Sequence, residues 1–231
     1  MIVQMNRPKI YPVIHHLDRE TSVREAGKAV AAGADGAFLI AHRGNDGDLI
    51  SVACGIRNCY AGFPIGINLL STSAIAAVET ARQFQFPMVW GDDFGVDSTG
   101  LTAAGNAIHS IAKAQGKNLQ IFASVAFKYR PHESDPAQAA KNALASGFIP
   151  ITSGSGTGSP PELSKIKSMS EATGGVLAVA SGMTPGNVAQ FAPYLSHILV
   201  ATGIAINEHE MDVEMLRLLI ANARKGQIAA K

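Results

Sequence analysis

Residues 149–158 read IPITSGSGTG, residues 176–187 read VLAVASGMTPGN and residues 198–203 read ILVATG. Each stretch opens on a short apolar run and empties into glycine mixed with serine or threonine. A brief, continuous apolar run bounded by turn residues is the pattern of a strand buried on both faces. The intervening segments are long enough for a helix. Three such units in succession therefore predict strand–loop–helix repeats of a parallel sheet, since parallel neighbours need a crossover connection.

The same unit recurs toward the N-terminus. Apolar or β-branched runs stand at Ile10–Ile14, Gly36–Ile40, Ile65–Leu70, Pro87–Trp90 and Leu119–Val125, which with Ile149–Thr152, Val176–Ala180 and Ile198–Ala201 make eight candidate strands. Helical spacing fills the gaps. Val23, Ala26 and Val30 share a face of a first helix opening at Thr21 or Ser22 and ending at Gly33. Ile75, Val78 and Ala81 mark a third, opening at Ser71 or Thr72. Ser159 before Pro160-Pro161 opens a sixth, and Asp212 opens a last one carrying Leu216, Leu219 and Ala223. Short polar side chains suit these starts because they bond the free N–H groups of a first turn, where proline is also tolerated. Eight units without a linker or composition break predict one domain over residues 1–231, a (β/α)8 barrel closed on itself. A doubly wound open sheet is the competing arrangement, disfavoured by the number of units and the lack of a switch-point fingerprint.

Composition narrows the partners. Hydrophobic residues make up 47% of the 231 residues and charged residues 16%, with a formal net charge of +1. Nucleic-acid binding draws on many clustered cations, so no nucleic-acid partner is expected. No run approaches the roughly 18 apolar residues of a membrane span, and the first nine residues contain no apolar signal core. The expectation is a cytoplasmic protein in which Cys54 and Cys59, five apart on a helix, are buried free thiols. Symmetric pairing is the commonest assembly of such proteins, which makes a homodimer the expected one.

In a barrel of this kind the chemistry sits at the C-terminal ends of the strands. The residues there are His15, His16 and Asp18 after the first strand, His42, Arg43, Asn45, Asp46 and Asp48 after the second, and Asn68 at the third. Gly91-Asp92-Asp93 follows the fourth, with Asp97 beyond, and Lys128, Tyr129, Arg130, His132 and Glu133 follow the fifth. The loops after strands 6, 7 and 8 differ in kind: Ser153, Gly154, Ser155, Gly156 and Thr157; Ser181 and Gly182; Thr202 and Gly203. Glycine lets backbone N–H groups close on an anion and the hydroxyls add donors, so three adjacent loops of this type predict a phosphate cradle. Tight turning alone also favours glycine, and that alternative stands beside the functional one.

These motifs carry a family resemblance. Gly33-Ala34-Asp35-Gly36, Pro64-Ile65-Gly66-Ile67-Asn68, Thr152–Gly158, Ser181–Val188 and Ile198–Gly203 together resemble the BtpA family, named for a photosystem I biogenesis protein. The resemblance covers most of the chain and is strongest from Phe122 onward. It implies a phosphate-binding barrel. The chain departs from the family at the mouth, where Asp18-Arg19-Glu20 replaces a Pro-rich loop and Ala41-His42-Arg43 replaces a Glu-Asn pair.

The reacting groups expected opposite the cradle are Asp92, Asp93, Lys128, His16, His42 and Asp46. Adjacent residues leaving a strand diverge, so one of Asp92 and Asp93 faces the pocket as general acid/base, nucleophile or cation ligand while the other caps or pairs with arginine. Lys128 binds an anion, pairs with Asp92 or forms a Schiff base. His16, His42 and His132 are candidate proton carriers, with a structural hydrogen-bonding role as the alternative for each. Asn68 and Trp90 are expected to touch substrate, with lumen filling as the alternative for Trp90. No metal-ligand spacing and no cofactor motif is present, although a divalent cation such as Mg²⁺ suits the carboxylates. The expected ligand is a phosphorylated ribose-type compound or nucleotide, handled by acid/base chemistry or by transfer or cleavage at the anomeric carbon. A non-catalytic assembly or stability factor that keeps the barrel is the other reading.

Overall fold

The computed structural model describes residues 7–42, 45–114 and 119–226; Arg43 lies outside them. Eight parallel strands close a barrel: β1 Lys9–His15, β2 Ala37–Ile40, β3 Ile65–Asn68, β4 Met88–Gly91, β5 Gln120–Ser124, β6 Ile149–Thr152, β7 Ala178–Ala180 and β8 His197–Val200. Each pairs with its neighbour in sequence. β1 closes the ring, pairing Lys9 through Pro12 with His197 through Val200 on one side and Val13 through His15 with Phe38 through Ile40 on the other. All eight fall within two residues of the ranges expected from the apolar runs.

Helices α1 Arg19–Ala32, α2 Asp46–Cys59, α3 Ala74–Gln83, α4 Ala103–Ala114, α5 Pro136–Ala145, α6 Leu163–Ala172, α7 Val188–Phe191 and α8 Val213–Gly226 each follow the strand of the same number. Three of the expected starts shift. α1 begins earlier, because Asp18 reaches the Thr21 N–H at 2.7 Å, and Thr21 and Ser22 are then buried inside the helix. α3 is capped by Ser73 on the Ala76 N–H at 3.2 Å, not by Ser71 or Thr72. α6 begins at Leu163 behind Glu162, since each of two consecutive prolines drives the residue before it out of helical geometry. Asp212 does cap α8, accepting from Glu214 and Met215 at 2.8 and 3.1 Å. Cys54 is half-buried and Cys59 exposed at the end of α2, which corrects the expectation of two buried thiols. Among the described residues no helix is long and apolar enough to cross a membrane.

Two layers of core result from strand alternation. Ile10, Ile14, Leu39, Ile65, Ile67, Val89, Ile121 and Val179 face outward against the helices. Tyr11, Phe38, Ile40, Met88, Trp90, Phe122, Ile151 and Leu199 fill the lumen, with Phe38 edge-on to Tyr11, Trp90 and Phe122 at 5.3–6.1 Å between centroids. Gly66 makes this possible, because a Cβ there would fall on the Phe38 ring. The loop after β4 folds into a short antiparallel hairpin, Val96–Asp97 with Gly100–Leu101, that docks on α5 through Asn142 Nδ2 donating to the carbonyls of Asp97 and Ser98.

Candidate active site at the barrel mouth

The packed lumen ends at Trp90 and Phe127, and above them opens a cavity of ≈330 Å³ lined by His15, His42, Asp92, Lys128, Thr157, Ser181 and Thr202 among others. Alternation explains much of this membership. His15 shares parity with Tyr11 and Val13 on β1, His42 with Phe38 and Ile40 on β2, and Asp92 with Met88 and Trp90 on β4.

One wall carries the titratable groups. Asp92 lines the cavity, and burial pushes its carboxyl above the usual range against the opposing pull of Lys128, Arg130 and His42. Asp93 is turned away: its Oδ1 accepts from the Gly95 N–H at 2.8 Å and pairs with Arg130 at 2.9 Å. Arg130 also donates to the Asp92 carbonyl, so Asp93 and Arg130 set the backbone from which Asp92 projects. Lys128 Nζ donates to Thr157 Oγ1 at 3.2 Å, and no ion pair joins it to Asp92 among the described residues. His15 and His42 stack edge to face at 4.9 Å. Burial, and then the neighbouring His42, hold the His15 imidazole down at about 4, which keeps it neutral at ordinary pH.

Several residues expected at the site lie elsewhere. The His16 side chain is 3% exposed and held between Ser22 Oγ and Asp48 Oδ2, both at 2.8 Å, so it ties α1 to α2 and lines no part of the mouth. The strand parity that admits His15 excludes it. His132 is exposed and lines a separate cavity between the loops after β5 and β6. Asp46 is buried in the first turn of α2, where Oδ2 accepts from the Ser71 N–H at 3.2 Å and Oδ1 has no partner. Asn68 is 1% exposed with both amide atoms unpartnered; it lines a smaller cavity of ≈240 Å³ that also touches Asp92. Trp90 both fills the lumen, its Nε1 donating to Ser124 Oγ at 3.2 Å, and forms part of the mouth. Among the described residues no group of three or more His, Cys, Asp or Glu converges as metal ligands would.

The rest of the lining comes from the three Gly-rich loops, locked into one another. Ser181 Oγ accepts from the Gly158 N–H at 3.0 Å and donates to the Gly156 carbonyl at 3.3 Å. Ser181 adopts φ +85°, a left-handed geometry that costs a non-glycine residue about 1–3 kcal/mol and collects at functional sites. Packing accounts for some of the glycines: a Cβ at Gly154 would fall on the Ser159 carbonyl, at Gly182 on Pro160 and at Gly203 on the Met183 carbonyl. Ser153 is wholly buried, accepting from the Lys128 N–H at 2.8 Å and donating to the Gly154 carbonyl at 2.9 Å. Ser155 is exposed on the outer cavity beside Lys165. The groups left facing the mouth are Thr157, Ser181 and Thr202. No hydrogen bond among the described residues uses the backbone N–H of Gly182, Thr202 or Gly203.

His15, Tyr129 and Arg130, placed at the strand ends by the sequence but given no role there, also matter here, as does His209, which the sequence did not single out. His15 was recoverable from the alternation of β1. Arg130, Tyr129, whose hydroxyl meets Thr157 Oγ1 at 3.2 Å, and His209, whose Nδ1 meets the His15 carbonyl at 3.0 Å, reach the site through loop conformation that has no periodic signal.

No family model matches the sequence, and no curated protein matches it. Solved structures do. The native KDPGal structure superposes with a TM-score of 0.66 at 15% identity, covering 100% of this chain and 98% of that one. Phosphoribosyl anthranilate isomerase from Thermus thermophilus gives 0.66 at 15% identity over 94% of this chain and 98% of that one. KGPDC from Streptococcus mutans gives 0.65 at 14% identity over 95% and 99%. At such identities the likeness is one of fold, and together with the closed ring of eight parallel strands it makes this chain a (β/α)8 barrel.

Proposed function

We propose that this chain is an enzyme acting on a phosphorylated ribose-type compound or nucleotide, with the phosphate held by the loops after β6, β7 and β8. The observation that carries the reading is a single cavity lined both by Asp92, Lys128 and His42 and by Thr157, Ser181 and Thr202. The backbone N–H of Thr202, a residue that lines this cavity, is used by no hydrogen bond among the described residues and is a donor open to an anion. A solved barrel of the same fold is a phosphoribosyl anthranilate isomerase, and the BtpA resemblance points to the same ligand class.

In this reading the phosphate is an anchor whose binding energy orients the reacting atoms. Asp92, its pKa raised by burial, moves a proton or stabilises a cationic anomeric carbon. Lys128 steadies negative charge between Asp92 and the phosphate. His42 is the second proton carrier that isomerisation or elimination requires, since His16 lies outside the cavity. Asp93 positions Asp92 through Arg130 and does not touch substrate.

The test joins binding to turnover. Inorganic phosphate and ribose 5-phosphate at millimolar levels are expected to raise the melting temperature, as any ligand specific to the folded state does. Turnover found in a phosphoribosyl and nucleotide library is expected to fall about 100-fold or more in Asp92→Asn, the scale of a lost acid/base. Asp93→Asn is expected to lose less. No thermal shift with any phosphorylated compound, or full activity in Asp92→Asn, overturns the proposal.

A further inference from the structure

A second cavity of ≈390 Å³ opens beside the mouth, under the segment that joins β8 to α8. The two cavities share Val13, His15, His42, Thr157, Ala201 and Thr202, so the stacked imidazoles stand as a partition between two lobes and the threonines border both. The second lobe's own apolar lining is Ile14, Ile204, Ala205 and Met211, with Glu25 and residues 207–210 beside it. Its roof is built rather than draped: Ala205 bridges Met211 in antiparallel register and Ile206 N donates to the Glu210 carbonyl at 2.8 Å. Roof and barrel are tied by His209 on the His15 carbonyl, by Arg24 on Glu210 at 2.7 Å, and by Glu25 accepting from the Met211 N–H at 2.7 Å.

Resting on the phosphate reading above, we infer that this lobe receives the ring of an N-glycosidic 5′-phosphate, and that the ring is an uncharged heterocycle. A ligand anchored at Thr202 can send one substituent to each side of the partition, the reacting side toward Asp92 and the ring toward Ile204 and Met211. Ile204, Ala205 and Met211 supply the apolar surface that a flat ring packs against. The partition presents His15 in its neutral form, with Nδ1 buried and unpartnered, ready to bond one ring heteroatom. Charge sets the class of ring. Lys28 compensates Glu25 at 2.8 Å and Arg24 compensates Glu210 at 2.7 Å, which leaves Glu208 as the rim carboxylate that opposes a carboxylated ring.

Isothermal titration with three probes separates the parts. Ribose 5-phosphate occupies the cradle alone, uridine 5′-phosphate adds an uncharged ring, and orotidine 5′-phosphate adds the same ring bearing a carboxylate. Uridine 5′-phosphate is expected to bind about tenfold or more tightly than ribose 5-phosphate, and orotidine 5′-phosphate to lose most of that gain. Ala205→Trp fills the lobe and is expected to remove the gain of uridine 5′-phosphate while ribose 5-phosphate changes by less than about threefold; Ala205→Leu, a smaller filling, is expected to fall between. If ribose 5-phosphate binds but the ring adds nothing, or if both Ala205 variants leave the gain intact, the second lobe is not the ring site and the phosphate reading survives. Equal affinity for uridine and orotidine 5′-phosphates overturns the charge assignment. If none of the three binds, the cradle fails and this inference fails with it.

Discussion

Alanine at two glycines of the cradle should have opposite consequences. Gly182 has φ +75°, and a Cβ there would fall on Pro160 N and Cα, well inside van der Waals contact. The left-handed geometry costs an alanine roughly 1–2 kcal/mol. Forcing apart two backbones, one stiffened by Pro160-Pro161, costs roughly a further 1–3 kcal/mol. Gly182→Ala is therefore expected to lose about 2–5 kcal/mol, a fall in melting temperature on the order of 10 °C for a chain of this length. Gly156 is the contrast. Its φ is not positive and nothing lies closer to a built Cβ than Ser159 Oγ at 4.0 Å, so neither packing nor backbone geometry requires glycine. Gly156→Ala is expected to be neutral or to gain about 0.4–1 kcal/mol through the unfolded chain. If the loop is left bare so that a phosphate can approach, the same variant weakens ribose 5-phosphate binding about tenfold, or 1.4 kcal/mol. Scanning calorimetry and titration calorimetry on both variants decide the matter. Unchanged affinity in Gly156→Ala would refute the role given to this loop, and an unchanged melting temperature in Gly182→Ala would refute the packing argument.

Other consequences follow from buried groups away from the reacting atoms. Lys165 Nζ, its pKa lowered by burial, donates to the carbonyls of Ala126 and Ser153 at 2.6 and 3.0 Å. Lys165→Met strands both carbonyls and is expected to lower stability in denaturant by about 2–4 kcal/mol. His197 is buried against Tyr11 and Phe122, and desolvation depresses its pKa to about 3. The folded chain thus refuses a proton that the unfolded chain accepts, so the stability this gives is complete above pH 6.5 and falls as the pH drops toward 3. Denaturant midpoints measured across that window are expected to decline less steeply in His197→Phe; parallel curves would show that His197 is not a source of the slope. His16→Ala breaks the tie between α1 and α2 and is expected to cost about 1–2 kcal/mol of stability, with turnover intact. Loss of turnover in a folded His16→Ala protein would return that histidine to the site.

The eight strands were legible because each is an apolar run buried on both faces, a local and continuous signal. Strand parity is also local, and it separates His15 from His16 once Tyr11 and Val13 are assigned to the lumen. Helix starts were less legible. Several hydroxyl and carboxylate side chains lie within reach of each first turn, and the loop path chose Asp18 over Thr21 and Ser73 over Ser71.

The chain's sequence determined by itself that there are eight strand–helix units and that three consecutive loops are rich in glycine and hydroxyls. Only the tertiary structure decided how Asp93 is held aside, because Arg130 comes from another loop to pair with it. It also decided that Ser153, Gly154, Gly182 and Gly203 serve loop packing, which leaves Thr157, Ser181 and Thr202 to face the cavity. The physical reason is one of range. Periodicity and parity are set by neighbours along the chain, whereas loop contacts at the mouth join residues from 23 to 194 positions apart, and no local pattern records which of them meet.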